Sequence, residues 1–348
     1  MNSTTSTTGW ASEPNGRGTM GLLWSCFATT FLCTWSAVHP NLPALAESEW
    51  KIFCRRVGYL LICLLGPEIF ATLALSEFMD AKQLQSLSPA SNRWSMKKCY
   101  FLMMGGFVFE TNHEHDATRK RLRTKDLYNL LKTGQLLWPE IEEREISDRS
   151  KSDWSVKSLA LVQILWFITQ LAGRVVQGLA VTTLELFTLG IVFCAVCTYS
   201  LWWAKPFDIR QPIVIEDKKR ATASSDSCAR VGLSEDDFHE SEWRFNAIFL
   251  LIVIIFGGIH VVAWQFHFPT YAEQLTWRIC SIVSTIIPII FGLYFHFSED
   301  EYNVSTVIVG FYVVVRLYMF VEMFVGLRSV PASVYKTPEW SDYFPTFS

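Results

Sequence analysis

Four ionisable side chains interrupt the apolar stretches of this sequence, and they are the residues best placed to do chemistry. Glu68 directly follows Pro67, His260 lies in a later stretch, and Arg316 and Glu322 share the last one. A charged group in apolar surroundings is costly unless a partner or a ligand compensates it. Carboxyl and imidazole groups can also donate protons in catalysis, so Glu68, His260 and Glu322 are candidate catalytic residues.

The spacing of these residues indicates that their partners lie on other helices. Arg316 and Glu322 are six residues apart, about 600° of helical rotation, and they therefore face different directions. Each needs a partner elsewhere, and Glu68 with Arg316 is the predicted pair. Pro67 removes a backbone hydrogen bond beside Glu68, which predicts a kink at that point.

Two glutamines complete the polar set. Gln163 and Gln170 are seven residues apart, so they lie on one helix face. We expect them to form hydrogen bonds between helices, and with Arg316 they are candidate binding residues. The whole set has two interpretations at this stage: it either specifies how the helices pack, or it lines a cavity for a lipophilic or proton-linked substrate.

The composition shows which elements must position these residues. Hydrophobic residues make up 50% of the 348 and charged residues only 18%, against about 25% charged in soluble proteins. The apolar residues fall in blocks of about 20, the length of a helix that crosses a bilayer. Seven blocks match that length: residues 20–38, 57–75, 156–172, 183–203, 246–264, 279–297 and 304–325. The predicted fold class is all-α, a polytopic transmembrane helix bundle of about seven spans.

The segments between the blocks complete the predicted organisation. The chain divides into a disordered segment 1–19, spans 1–2 in 20–78, a basic loop 79–155, spans 3–4 in 156–203, a flexible charged loop 204–245, spans 5–7 in 246–327 and a tail 328–348. Within the basic loop, residues 100–109 are too short to span and predict a re-entrant or interfacial segment. Residues 124–138 have the periodicity of an amphipathic helix. The basic run 119–125 before it is expected to attract anionic lipid headgroups.

The Lys and Arg residues predict an orientation. They concentrate in the loops 79–155 and 204–245, which places those loops in the cytosol. With seven spans, the N-terminus is then cytosolic and the C-terminus lies on the opposite face, although Arg55 and Arg56 fall on the wrong side. The sequons at Asn2 and Asn303 are accessible for glycosylation only if the orientation is opposite.

No motif predicts a cofactor. The sequence has no P-loop, GxSxG, HExxH or dinucleotide fingerprint, and its net charge of −3 argues against nucleic acid as a partner. His113 and His115 do not share a helix face, so no metal site is predicted. The nine cysteines lie mostly in apolar blocks, where Cys behaves as a small hydrophobe.

Several strings resemble a large fungal family of multispanning integral membrane proteins of largely unassigned function. They include WSAVHPNLP at residues 35–43, ISDRSKSD at 146–153 and YSLWWAKPFD at 199–208, and the resemblance covers most of residues 17–210. It implies a membrane location and a fungal origin. It implies no catalytic residue, because none is established for the family.

Three functions stay open at this stage. The first is an accessory protein of the endoplasmic reticulum or another endomembrane, with the plasma membrane as an alternative, serving a secondary-metabolite pathway. The second is a membrane-embedded cyclase or isomerase that acts on a lipophilic small molecule, with Trp24, Phe70 and Trp166 as candidate cavity walls. The third is a transporter or a seven-span receptor, although the two halves show no inverted repeat.

Overall fold

The computed structural model of this protein describes residues 6–13, 17–44, 47–88, 93–113, 116–121, 141–150, 153–216, 235–297 and 302–339. Within these ranges the helices are α1 (Thr19–Ala37), α2 (Glu49–Leu65), α3 (Pro67–Leu87), α4 (Met96–Met103), α5 (Glu143–Arg149), α6 (Asp153–Val176), α7 (Thr183–Leu201), α8 (Glu235–Val261), α9 (Tyr271–Phe297) and α10 (Tyr302–Val325). The strands are β1 (Thr7–Thr8), β2 (Phe107–His113), β3 (Asp116–Arg121), β4 (Ile213–Glu216) and β5 (Val330–Pro331).

Six of the described helices are long and apolar enough to cross a membrane: α1, α6, α7, α8, α9 and α10. The predicted fold class, an all-α polytopic helix bundle, is thereby confirmed. The most buried helix is α7, which packs against α1, α3 and α8. Its N-terminus carries a capping box in which Thr182 and Glu185 satisfy each other's backbone N–H groups.

The second predicted block, residues 57–75, is two helices and not one straight span. Helix α2 ends at Leu65, α3 begins at Pro67, and the chain bends by 109° between them. Proline is tolerated at the first position of a helix but cannot continue the preceding one, because it lacks the N–H and clashes with the turn before it. The chain therefore breaks at Gly66.

Contacts at the outer ends of this pair show that it returns to the end of the bundle where it started. Arg210 contacts Glu49, in the first turn of α2, at 3.0 Å. Beyond α3, the chain enters α4, where Tyr100 donates a hydrogen bond to the Leu201 carbonyl at the end of α7. Both ends of the pair therefore lie beside the end of α7. This is the arrangement of a re-entrant helix pair, and it leaves six full spans.

A small sheet and two short helices cap this end of the bundle. Strand β2 pairs antiparallel with β3 and parallel with β4, and α4 packs against α3 and α5. The segment 100–109, predicted to be re-entrant or interfacial, is divided between α4 and β2 at this end of the bundle, and α2–α3 is the element that turns back. Residues 119–121 of the basic run lie on β3, and the predicted amphipathic helix 124–138 lies outside the described residues.

The two chain ends meet at the other end of the bundle. Strands β1 and β5 pair antiparallel, and the Tyr335 hydroxyl donates to the Gly9 carbonyl at 2.7 Å. Arg174 donates to the carbonyls of Ala180 and Val334. Two expectations are corrected here: residues 7–8 of the segment expected to be disordered form a strand, and the chain ends do not lie on opposite faces. The reason for the second correction is the turn at Gly66.

Because β1 and β5 join the two chain ends, tags on both termini are expected on the same face of the membrane. The measurement is protease protection in sealed microsomes from cells expressing the doubly tagged chain. Both tags should be digested together or protected together. Protection of one tag alone would contradict the paired chain ends and restore an odd number of spans.

Candidate functional site

Three of the four predicted ionisable residues meet at the helix break. Glu68 is the second residue of α3, Arg316 comes from α10 and His260 from α8. Arg316 and His260 are 0% exposed, and Glu68 is 2% exposed. The break at Gly66 brings a helix C-terminus and a helix N-terminus to the same buried place, between the elements that carry these side chains.

Arg316 is held by contacts from three sides. Its Nε donates to the Leu65 carbonyl at 2.6 Å, and its Nη1 lies 3.3 Å from His260 Nε2. The guanidinium carbon lies 4.9 Å from the ring centroid of Phe187 and 4.8 Å from that of Phe256. Leu65 is the last residue of α2, where the helix dipole is negative, so the cation stabilises an otherwise orphaned carbonyl.

The tautomer of His260 follows from its two neighbours. Its Nδ1 is 2.9 Å from the Phe256 carbonyl, which can only accept, so Nδ1 carries the hydrogen. Nε2 then has a free lone pair and accepts from Arg316 Nη1. His260 is therefore a neutral acceptor that orients the guanidinium, and it contributes no second positive charge beside it.

Glu68 is bonded on one oxygen only. The Tyr312 hydroxyl donates to Oε1, whereas Oε2 is buried and has no hydrogen-bond partner among the described residues. No ion pair joins Arg316 to Glu68, both of which the structure describes, so the predicted direct pair is not formed. The carboxyl group instead lies at the N-terminus of α3, where the helix dipole favours negative charge.

A cavity of about 300 Å³ adjoins Glu68. It lies between α2, α3, α8, α9 and α10, and its walls are mainly apolar, with Phe249, Pro288 and Phe291 on one side. Two lining residues, Ile69 and Val309, are exposed on the bundle surface. The cavity therefore opens sideways, toward the lipid that surrounds a spanning bundle.

The structure places the other predicted site residues elsewhere. Glu322 is buried near the end of α10 that leads to the chain terminus, and its Oε1 has no partner among the described residues. Gln163 donates to Thr29 on α1 at 2.8 Å, which agrees with the expected hydrogen bond between helices. Gln170 is half-buried on the same helix. Neither glutamine lines the Glu68 cavity.

The predicted aromatic walls do not surround Glu68 either. Trp24 and Trp166 are exposed on the bundle surface, and Phe70 packs in the core beside Tyr59. Sequence reasoning missed Tyr312, the partner of Glu68. The signal was present, because Tyr312 precedes Arg316 by four residues and therefore shares its helix face. Within the described ranges, no group of three His, Cys, Asp or Glu residues could hold a metal ion.

Three of the strings that carry the family resemblance meet at the cap, where α1 and α7 end. The His39 ring lies 5.7 Å from that of Trp202 and 5.1 Å from that of Phe207, and Ser150 Oγ donates to the Phe207 carbonyl at 3.1 Å. The described parts of these strings, residues 35–43, 146–150 and 199–208, therefore pack together. Burial, followed by the nearby charge of Lys157, holds the pKa of His39 well below its ordinary value.

A buried ion pair fixes this cap to the re-entrant pair. Lys205 Nζ lies 2.6 Å from Glu77 Oε2 on α3, and 4.0 Å from the Trp202 ring centroid. Burial lowers the pKa of Lys205, and the carboxylate of Glu77 opposes that shift. Lys205 and Glu77 are thus paired inside the cap, whereas His39 Nε2 and Trp202 Nε1 are buried without a hydrogen-bond partner among the described residues.

The Arg316→Lys variant tests whether the guanidinium fixes the break. Lysine has no planar guanidinium and cannot contact the Leu65 carbonyl, His260 and both ring faces at once. We therefore expect a loss of about 2–3 kcal/mol in the free energy of unfolding. Thermal melting of the purified protein in detergent measures it. The control is Arg328→Lys, because Arg328 pairs with Glu273 at the exposed surface, where the expected loss is below about 1 kcal/mol. Equal losses would contradict the proposed anchoring.

A family model described as a family of unknown function (DUF8562) matches residues 1–87, 85–232 and 296–347. No curated protein and no solved structure matches the chain. The matched ranges contain the cap strings together with Glu68, Tyr312 and Arg316, whereas His260 and Pro288 lie outside them. Since these ranges cover more than half of the sequence, the chain belongs to this family of unknown function, DUF8562.

Proposed function

We propose that this protein binds a lipophilic molecule, taken up sideways from the bilayer, in the cavity at Glu68. The support is the position of that cavity between spanning helices, its apolar walls and its opening at Ile69 and Val309. A volume of about 300 Å³ lies at the lower end of the usual range for small-molecule sites. The expected ligand is therefore compact, or it leaves part of an apolar chain in the lipid.

The observation that carries this proposal is the unpaired Oε2 of Glu68. A buried polar atom without a partner costs about 1–3 kcal/mol, and more when the group is charged. A ligand that donates one hydrogen bond to Oε2 would remove that cost. The proposed ligand is a lipophile with a single hydroxyl or amine group at the end that reaches Glu68.

The proposed biological setting is a fungal secondary-metabolite pathway on an endomembrane, with the protein as an accessory or an enzyme. The resemblance of the cap strings supports the fungal origin. The geometry at Glu68 supports an isomerase or cyclase in particular, since a carboxyl group held by Tyr312 through one oxygen can transfer a proton with the other. Such a reaction needs no cofactor, because the Glu68 carboxylate left by the first transfer can take a proton back from another carbon of the same substrate.

A transporter is the second candidate function, and the broken helix pair favours it. Many secondary transporters bind their substrates where interrupted helices present half-helix ends at the membrane midplane. The α2–α3 break presents both kinds of end beside the cavity. Deletion of the gene followed by metabolite profiling distinguishes the two functions. Accumulation of a precursor indicates an enzyme. A metabolite that is chemically unchanged but found in a different compartment indicates a transporter.

The Glu68→Gln variant tests the site directly. The probe is a long-chain alcohol carrying a photoreactive diazirine, added to membranes that contain the protein, with labelled peptides identified by mass spectrometry. We expect the wild type to be labelled on peptides containing Phe249 or Phe291, and labelling to fall about tenfold in Glu68→Gln, the equivalent of about 1.4 kcal/mol. Glu322→Gln is the matched control, because it changes a buried carboxyl group outside the cavity. Equal labelling of all three proteins would refute the proposal.

We also propose an orientation, with the cap in the cytosol and both chain ends on the other face. The supporting observation is that α2 begins at the cap, so Arg55 and Arg56 join the basic loops there, where Arg56 pairs with Asp208. Five basic residues lie toward the opposite end: Arg17, Arg174, Arg278, Arg328 and Lys336. This distribution fits the excess of Lys and Arg on the cytosolic side, and it revises the cytosolic N-terminus expected from seven spans.

Glycosylation tests this orientation. With the N-terminus outside the cytosol, the sequon at Asn2 is accessible, whereas that at Asn303 lies at the cap end of α10. We expect a glycosidase-sensitive shift in gel mobility that Asn2→Gln abolishes and Asn303→Gln leaves unchanged. Loss of the shift in Asn303→Gln instead would reverse the orientation.

A further inference from the structure

Helix α2 is loosely packed for a helix inside a bundle. Of its 17 residues only Cys63 is buried, and Leu61 and Ile62 on the same turn are exposed. The other half of the pair differs, because α3 buries eight residues and packs closely against α7 and α8. The two halves of one re-entrant pair therefore have very different support from the rest of the protein.

Cavities lie on both sides of α2. Ile62 and Leu65 line the Glu68 cavity. Leu60 and Leu64 line a second cavity, of about 340 Å³, which Phe31 of α1 also lines. Where it faces these two cavities, α2 lacks part of the close side-chain packing that normally fixes the position of a helix in a bundle. Because α2 lies between the two cavities, a sideways shift of the helix would narrow one cavity as it widens the other.

Contacts attach α2 to its neighbours along its length: Glu49 in its first turn, Arg56 near its middle and Leu65 at its tip. At the cap, the Arg56 guanidinium lies 4.5 Å from the Trp35 ring centroid and 3.4 Å from Asp208. At the tip, the Leu65 carbonyl accepts from Arg316. Beyond the tip, Pro67 has no N–H to continue the backbone ladder across Gly66. Among the described residues, no side-chain hydrogen bond or ion pair holds α2 between Arg56 and Leu65, where Tyr59 makes a ring contact with Phe70, and this half of the helix is the part that can lean.

We infer that α2 is the gate of the Glu68 cavity: leaning toward α1 widens that cavity, and leaning toward α10 closes it. This inference rests on the proposed function and adds how access to the site is controlled. Arg316 has two roles in this gate. It holds the tip of α2 through the Leu65 carbonyl, and it lies next to the Glu68–Tyr312 pair. Occupation of the cavity and the position of α2 are therefore coupled through the same buried network.

Two opposed cross-links test the gate, in a chain whose native cysteines are replaced by alanine. Ile62→Cys with Val309→Cys joins α2 to α10 across the Glu68 cavity, and Leu60→Cys with Phe31→Cys joins α2 to α1 across the second cavity. Each pair is closed with a short reducible bifunctional thiol reagent, and the diazirine alcohol is the probe. We expect the first cross-link to reduce labelling of the cavity at least tenfold, with recovery on reduction. The second should leave it unchanged or raise it.

The outcomes separate the gate from the site itself. Equal labelling with both cross-links, in a chain that the alcohol still labels, would overturn the gate and leave the proposed function standing. Absence of labelling before any cross-link would overturn both. Hydrogen–deuterium exchange of the unmodified wild type in nanodiscs provides a measurement without substitutions. We expect residues 49–65 to exchange faster than residues 67–87, and equal protection of the two halves would contradict the gate.

Discussion

The hydrogen bond from Arg316 to the Leu65 carbonyl is the interaction on which this structure depends. A helix that breaks inside a bilayer leaves carbonyls at one end and N–H groups at the other without water to satisfy them. Here Arg316 lies at the negative end of α2, and Glu68 lies at the positive end of α3. A helix end of matching polarity lies next to each of these groups, and the two form no direct ion pair.

The same break decides the architecture. Because the chain turns at Gly66 and returns to the cap, the first and last spans bring both chain ends to one face, where β1 and β5 pair. The turn also moves Arg55 and Arg56 to the basic end of the bundle. One local feature, a Gly-Pro step beside a buried guanidinium, therefore accounts for the number of spans and the position of the termini. It also removes the one anomaly in the charge distribution.

The cap strings and the proposed site lie in different parts of the structure. The long strings around His39, Ser150 and Trp202 interlock as a cap, and their contacts are accounted for by packing and ion pairs. Glu68, Tyr312 and Arg316 are isolated polar residues in apolar segments, and only their convergence marks the site. The half-helix α2 connects the two parts, since its base is attached to the cap and its tip to Arg316.

The sequence alone determined the helical membrane fold, the six blocks that became full spans, and the small set of polar residues worth examining. Hydropathy and the cost of buried charge depend on residue type and order, so they can be read without coordinates. Only the tertiary structure decided that residues 57–75 turn back, that Tyr312 is the partner of Glu68, and that Trp24 and Trp166 face outward. Hydropathy averaged over a window of residues does not detect a bend within that window. The partner of a side chain depends on how neighbouring helices are rotated and offset. Those rotations are set by packing across the whole bundle, which no local stretch of sequence contains.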